Sequence, residues 1–351
     1  MEAFEQVHRL VQEGLEQGAY PSAALAVGIG ARVYRKSVYG NCTENTLFDM
    51  ASLSKILGAT MIAFRFLEDG LLHLTDTVGS FFPDAPADKA NITVLQLMTH
   101  TGGFTPKFYL FDYISDPADA AKAILQYPLD RAPGTAPDYS CMGYILLGKI
   151  LERIGGAPLD VLAKTLVFDP LGMQHTTYRP SGDIAPTERD PKTGEPFRGT
   201  VHDKNGRFLR GISGNAGVFS NIDDMIRFVS MLSMDGRLPD GSAYLSADTL
   251  RAARINRTPD SKGEFRGLGF NLAGSPDSFL SDGMGPNAYG HTGFTGTSIA
   301  LDPDTRLWVV LLTNRVCPTC ENTKLLPLRP RIHDAAAEEA RRILNTGSAF
   351  A

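Results

Sequence analysis

The stretch FDMASLSK, residues 48–55, sets two serines, Ser52 and Ser54, just ahead of Lys55 in a segment otherwise almost free of charge. Two readings compete. In one, serine caps a helix and the lysine solvates its side. In the other, Ser52 is a nucleophile and Lys55 its base. Side chains three apart on a helix share a face, with Cβ atoms ~5–6 Å apart, so Lys55 can reach the Ser52 hydroxyl. Ser54 is adjacent to Lys55 and points elsewhere. Lysine suits the base role only if burial or a nearby positive charge lowers its pKa from ~10.4. The flanking Met50, Ala51, Leu53, Ile56 and Leu57 supply an apolar setting. S-x-x-K recurs by chance in many proteins, so the rest of the chain has to decide.

The chain has 351 residues, 43% hydrophobic and 21% charged, enough to bury a sizeable core in one large domain or two modest ones. A net charge of −5 without a long basic run argues against nucleic-acid binding. No apolar stretch approaches the ~20 residues of a membrane span. The N-terminus shows no basic leader or apolar block. Phe4, Val7, Val11 and Leu15 instead recur at helical spacing and predict a helix ending near Gly18, which places the protein in the cytoplasm. The four cysteines, Cys42, Cys141, Cys317 and Cys320, are too few for a disulfide scaffold at this length. CPTC at 317–320 has the spacing of redox and zinc sites but lacks a second pair, and reads as reduced, non-catalytic thiols.

Strand character lies at both ends of the chain. Residues 22–40 read as a hairpin, and 269–274, 297–302 and 306–314 as later antiparallel strands, the last two joined by a turn at 302–305. Residues 52–69 read as one helix stopped by Gly70, and 333–345 as a closing helix with Ala336, Ala340 and Ile343 toward a sheet. Between them the pattern is helical, at 93–100, 116–127, 141–154, 158–165, 222–234 and 246–254. The expectation is an α+β fold: one antiparallel sheet assembled from both ends of the chain, flanked by helices, with a helical insertion beside it. It divides a single domain, 1–351, into an α/β part (about 1–75 and 255–351) and a mainly helical part (about 76–254).

Two further stretches carry chemistry. In PGTAPDYSCMGYILLG (133–148) a Pro/Gly loop delivers Tyr139 ahead of an apolar helix. Tyr139 is either a proton shuttle at a cleft edge or a half-buried anchor of its loop. In YGHTGFTGTSIALD (289–302) a small-residue strand permits close backbone approach and presents His291 and Thr292. There the Phe294 amide is placed to hold an oxyanion together with the Ser52 amide.

In this order, the three elements resemble the serine hydrolases of the penicillin-recognising group: class C β-lactamases, DD-carboxypeptidases and related esterases. S-x-x-K is Ser52–Lys55, the tyrosine motif starts at Tyr139, and His291-Thr292-Gly293 stands where the group carries K-T-G. PSAALAV (21–27), LMTHTGGF (97–104), DPLGM (169–173) and GHTGFTGTSIALDP (290–303) extend the likeness along the chain. VHDKNGRFLRGISGNAGVFS (201–220) and LLTNRVCPTCEN (311–322) are similar to a penicillin-binding-protein-4B-like and esterase-like bacterial subgroup.

The resemblance implies an acyl-enzyme on Ser52, with Lys55 and Tyr139 moving its proton, the Ser52 and Phe294 amides as oxyanion hole, and no metal or organic cofactor. It implies a small-molecule or peptide-like substrate, with Thr292 and Gly293 beside it. Two departures stand out. Y-x-N is here Tyr139-Ser140-Cys141, so a thiol replaces a carboxamide; Cys141 is either a weak substrate contact or a core residue. The lysine of K-T-G is His291, mostly neutral at pH 7, which counts among the catalytic residues as a hydrogen-bond partner of Tyr139 or the substrate. Arg315 either replaces the missing charge or is structural. His100 orders a loop near the cleft rather than acting as a base, and His202 and Asp203 anchor a rim loop. These departures favour an esterase or peptidase over a dedicated β-lactamase, and leave a weakly active ligand-binding or scaffold protein as the alternative.

Overall fold

The computed structural model describes residues 3–258, 263–276 and 278–346. Helix α1 (Glu5–Glu16) leads into the hairpin β1 (Ser22–Ile29) and β2 (Arg32–Gly40). A helical run ends in α2 (Met61–Glu68), and the middle of the chain carries α3 (Cys141–Gly155), α4 (Ile222–Ser233) and several shorter helices. Strands β3 (Asn271–Leu272), β4 (Tyr289–Thr292), β5 (Ser298–Asp302) and β6 (Leu307–Thr313) follow, then the long helix α5 (Leu325–Asn345). The six strands form one antiparallel sheet in the order β2-β1-β6-β5-β4-β3. Strands from both ends of the chain meet at β1–β6, in register from Ala23↔Thr313 to Ile29↔Leu307.

Both faces of the central strands are covered, so their sequences run apolar without a gap. The two-residue period still sorts them. Ala24 and Ala26 of β1, with Trp308, Val310 and Leu312 of β6, face the core shared with α4 and the helices of the middle segment. Ala23, Leu25, Val27 and Ile29, with Leu307, Val309 and Leu311, face α1 and α5, where Val7, Val11, Ile332, Ala336 and Ala340 are buried. Trp308 fits across from Gly28: a Cβ there would stand 2.1 Å from its ring. Its indole N–H donates to the Gly30 carbonyl at 2.8 Å.

The helix expected over 52–69 is three pieces: a 3₁₀ turn (Ala51–Leu53), a π-helical turn (Lys55–Thr60) and α2. Ala51, just ahead of the expected span, lies in the left-handed region at φ 46°, so no regular helix extends back through it. The strand expected over 269–274 shrinks to Asn271–Leu272, because Gly269 and Gly274 turn the backbone at φ 83° and 82°. Helix α5 begins eight residues earlier than expected. Pro327 sits in its first turn, where an N–H has no partner inside the helix, and Pro330 is accommodated further in. The helices expected at 93–100, 116–127, 141–154, 158–165, 222–234 and 246–254 all contain observed helices.

Gly28→Ala is therefore expected to displace Trp308 and lower stability by about 1–3 kcal/mol. The check is a lower urea midpoint at unchanged m.

Candidate active site

The turn that carries Ser52 is held from outside itself. Asp49 sits at the end of a two-residue strand (Phe48–Asp49) and is buried. Its Oδ1 accepts the Ala51 N–H at 2.8 Å, and its Oδ2 accepts the His202 N–H at 2.7 Å. Burial pushes the Asp49 carboxyl up to about 6, and the charge of Asp203 adds to this against the two N–H donors. Left-handed Ala51 is costly for a residue with a Cβ, and the Asp49 hydrogen bond holds it there. Ser52, half-buried, opens into a cleft of about 620 Å³ whose walls include Tyr109, Phe197, Phe294, Lys204 and Arg207. Ser54 is structural: its fully buried hydroxyl accepts the Val218 N–H at 3.0 Å.

Lys55 is fully buried, and its ammonium has three acceptors: Ser52 Oγ at 3.1 Å, the Asn215 carbonyl at 3.1 Å and Cys141 Sγ at 3.8 Å. Its Nζ also lies over the Tyr139 ring, 4.9 Å from the centroid. Burial alone would drive this amine toward its neutral form. The charges of Cys141, Tyr139 and Asp203 outweigh burial and raise its pKa. The apolar setting read from the sequence is therefore only half of the environment. Tyr139 is delivered by the loop before α3, whose N-cap, Ser140, accepts the Met142 N–H. His100 packs on the Tyr139 ring at 4.5 Å, and its Nδ1 accepts the Ser140 N–H at 3.3 Å, so it orders the tyrosine loop.

Strand β4 closes the other side. Gly293 has no room for a side chain: a Cβ would meet Thr297 Oγ1 at 2.2 Å and the Met50 carbonyl at 2.5 Å. This close approach lets Thr295 donate to the Asp49 carbonyl and Thr297 to the Met50 carbonyl. Among the described residues, neither the Ser52 N–H nor the Phe294 N–H has a protein acceptor, as an oxyanion hole requires. Thr292 is half-buried and pairs with Ser298 in the sheet. His291 is 2% exposed, and its Nδ1 lies 2.8 Å from the Thr292 carbonyl. Burial, then the charges of Arg266 and Lys55, hold its pKa well below 6.5, so it stays neutral.

A sequence model of the family described as Beta-lactamase matches residues 7–328. The chain belongs to this family. It is 29% identical to the N-acetylmuramyl-L-alanine amidase of Bacillus subtilis strain 168, over 88% of this chain and 80% of that one. It is 27% identical to an Escherichia coli K12 protein named as a candidate D-alanyl-D-alanine carboxypeptidase, over 90% and 83% of the two chains. The solved structure of EstCE1, a hydrolase with promiscuous acyltransferase activity, superposes with a TM-score of 0.74 at 22% identity, over 95% and 98%. The fold is thus that of a β-lactamase-related serine hydrolase. Among the described residues, no helix is long and apolar enough to cross a membrane.

Cys141, at the start of α3, packs against the main core, and its thiol also accepts from the Lys55 ammonium at 3.8 Å. Burial pushes that thiol up, and Lys55 pulls it the other way. Arg315 is buried beside the Phe294 wall of the cleft. Its Nη1 donates to the Cys320 and Asn322 carbonyls, and its guanidinium lies over Phe294 at 4.7 Å. Phe294, 53% exposed, is held from the other side by the His202 ring at 5.5 Å. His202 and Asp203 are rim anchors: His202 bridges to Glu188 at 3.2 Å, and Asp203 holds the Gly206 N–H and the Asn215 amide. Sequence reasoning missed Asp49, Asn215 and Arg266. Asn215 acts through its backbone carbonyl, and its only trace is the glycine-bracketed SGNAG at 213–217. Asp49 was in view inside the opening octet, without a partner to give it meaning.

Three buried histidines stay neutral in the folded protein: His100 and His291 well below the ordinary 6.5, and His333, driven by burial, at about 3. Below 6.5 the unfolded chain takes up protons that these sites refuse, so stability is full above that pH and is lost as pH falls. Each group contributes up to ~1.4 kcal/mol per pH unit. Asp49 opposes one of them between about 6 and 3.8, because the folded carboxyl keeps a proton there that the unfolded one has lost. Stability read from urea unfolding at each pH is expected to fall as pH drops below 6.5, less steeply between about 6 and 3.8, where Asp49 opposes the loss.

Proposed function

We propose that this serine hydrolase forms an acyl-enzyme on Ser52 and hydrolyses ester or amide bonds of small acyl or D-amino-acid-like substrates. The observation that carries the reading is the 3.1 Å contact from the buried Lys55 ammonium to the hydroxyl of Ser52, which opens into the cleft. Ser52 Oγ attacks the carbonyl carbon, and its proton passes to the Lys55–Tyr139 pair. That proton then goes to the leaving oxygen or nitrogen as the bond to the carbonyl breaks. Water enters by the same route in reverse and releases the acid. Because the surroundings of Lys55 favour its ammonium, the acid–base unit is the pair rather than either residue. The Ser52 and Phe294 amides hold the oxyanion.

The departures support ester or peptide substrates over β-lactams. Cys141 has its thiol engaged with Lys55, where a carboxamide would donate to and accept from a substrate amide. Neutral His291, tied to the Thr292 carbonyl, provides no fixed charge for a substrate carboxylate. The same two residues favour the alternative of a protein that binds such ligands with little turnover. A fluorescent fluorophosphonate separates the two readings: a Ser52 adduct in folded protein is expected, and its absence supports the binding protein.

Ser52→Ala is expected to abolish that adduct, whereas Ser54→Ala keeps it while losing about 1–3 kcal/mol of stability from the unpaired Val218 N–H. Lys55→Ala and Tyr139→Phe should each slow hydrolysis of p-nitrophenyl butyrate by ~10²–10⁴-fold. Nitrocefin turnover is expected to fall below ester turnover, and the reverse order would make the protein a β-lactamase.

A further inference from the structure

Arg266 belongs to none of the motifs, yet with Lys55 it is one of two cations over the Tyr139 ring. It lies in the loop EFRGLGF (264–270) that leads into β3, next to the strand that carries His291. Its side chain is 2% exposed. Its backbone is pinned on both sides: the N–H donates to Thr258 Oγ1 at 2.9 Å, and the carbonyl accepts from the Arg257 N–H at 2.8 Å. The guanidinium is fixed by Asn271 Oδ1 at 2.9 Å and by the Glu264 carboxylate, which takes both Nε and Nη2. So held, its Cζ stands over the Tyr139 ring, 5.1 Å from the centroid. Tyr139 therefore has two cations near its ring, the other being Lys55 at 4.9 Å.

We propose that Arg266 is a positioning residue that supplies the fixed positive charge of this site and confines proton transfer to Lys55 and Tyr139. The inference rests on the acyl-enzyme reading above. The titratable and charged groups around Tyr139 come from every element packed on it. They are Lys55 from the turn after Ser52, His100 from the preceding loop, Cys141 and Tyr144 from α3, His291 from β4, and Arg266 from the loop before β3. Asp203 acts on Lys55 from the far side, and Glu264 is the counter-charge of Arg266.

Two of these groups, His100 and His291, are imidazoles that would compete for the Ser52 proton if they could take it. Both are buried, and among the described residues the Nε2 of each has no hydrogen-bond partner. After burial, the charge of Arg266 is the largest reason that both stay unprotonated, ahead of Lys55. A neutral side chain at 266 would weaken that veto, with burial still acting, and leave Lys55 as the sole cation over the tyrosine. Arginine suits the task because it keeps its charge at any working pH.

The test uses the full chain and the variants Arg266→Met, Arg266→Lys and Glu264→Gln. Rates on p-nitrophenyl butyrate are followed from pH 5 to 10, with histidine ring signals read by NMR over the same range. Arg266→Met is expected to move the acid limb of kcat/KM to higher pH by about one unit, a loss of about tenfold below the limb. In that variant the His100 and His291 signals, flat in the parent protein, should titrate. Arg266→Lys restores both readouts. Glu264→Gln frees the guanidinium of its counter-charge and moves the limb the other way, which keeps the test alive if Arg266→Met does not fold. A uniform fall in kcat/KM at every pH with flat histidine signals would make Arg266 a structural residue and end the proposal. An unmoved limb in Glu264→Gln would count against it equally. The histidine readout needs no turnover, so it tests Arg266 even in a protein whose Ser52 takes no adduct, the result that would instead sink the acyl-enzyme reading.

Discussion

A lysine amine with no exposure to solvent is expensive to keep charged: removing an ion from water costs several kcal/mol unless acceptors replace the solvent shell. For Lys55 the acceptors come from three stretches far apart in the chain, at residues 52, 141 and 215, with the Tyr139 ring closing the shell. None of these stretches is near another in sequence, so the amine is satisfied only when the Ser52 turn, the start of α3 and the glycine-bracketed loop at 213–217 are all in place. The requirement works in both directions. The fold must assemble to solvate the charge, and once assembled it presents one of the three donors to a hydroxyl that faces the cleft.

The same logic explains why the departures from the family pattern stay compatible with an intact centre. Cys141 is a poor substitute for a carboxamide toward substrate, yet it still serves Lys55 as a weak acceptor. His291 cannot carry the charge of a lysine, yet its ring fills the same strand position as a neutral, buried group anchored to the Thr292 carbonyl. Both replacements preserve packing while changing what a substrate would meet.

Legibility followed the range of the physics. The sheet was readable because strands at both ends of the chain carry a local signal, β-branched runs bounded by turns, and meet in one sheet at β1–β6. The hydroxyl–amine pair was readable because its three-residue spacing is itself a local geometry. The left-handed turn at Ala51 was not, since nothing about an alanine announces such a backbone, held by a carboxylate two residues away. Arg266 and Asn215 were hidden for a different reason. One acts through a ring 127 positions away and the other through a carbonyl that every residue possesses. Arg315 kept both of its readings for the converse reason: a cation near the right strand end invites a charge role, and its bonds to the Cys320 and Asn322 carbonyls give it a structural one as well.

Asp49 joins two parts of the cleft that substrate would touch at different moments. One oxygen holds the N–H beside Ser52, and the other holds the N–H of His202, whose ring supports the exposed Phe294 wall. A ligand that presses on that wall therefore pulls on the same carboxylate that keeps Ala51 in its left-handed turn. The turn at Ala51 and the Phe294 wall thus share a single buried anchor, and a change at Asp49 would loosen both ends of the cleft together.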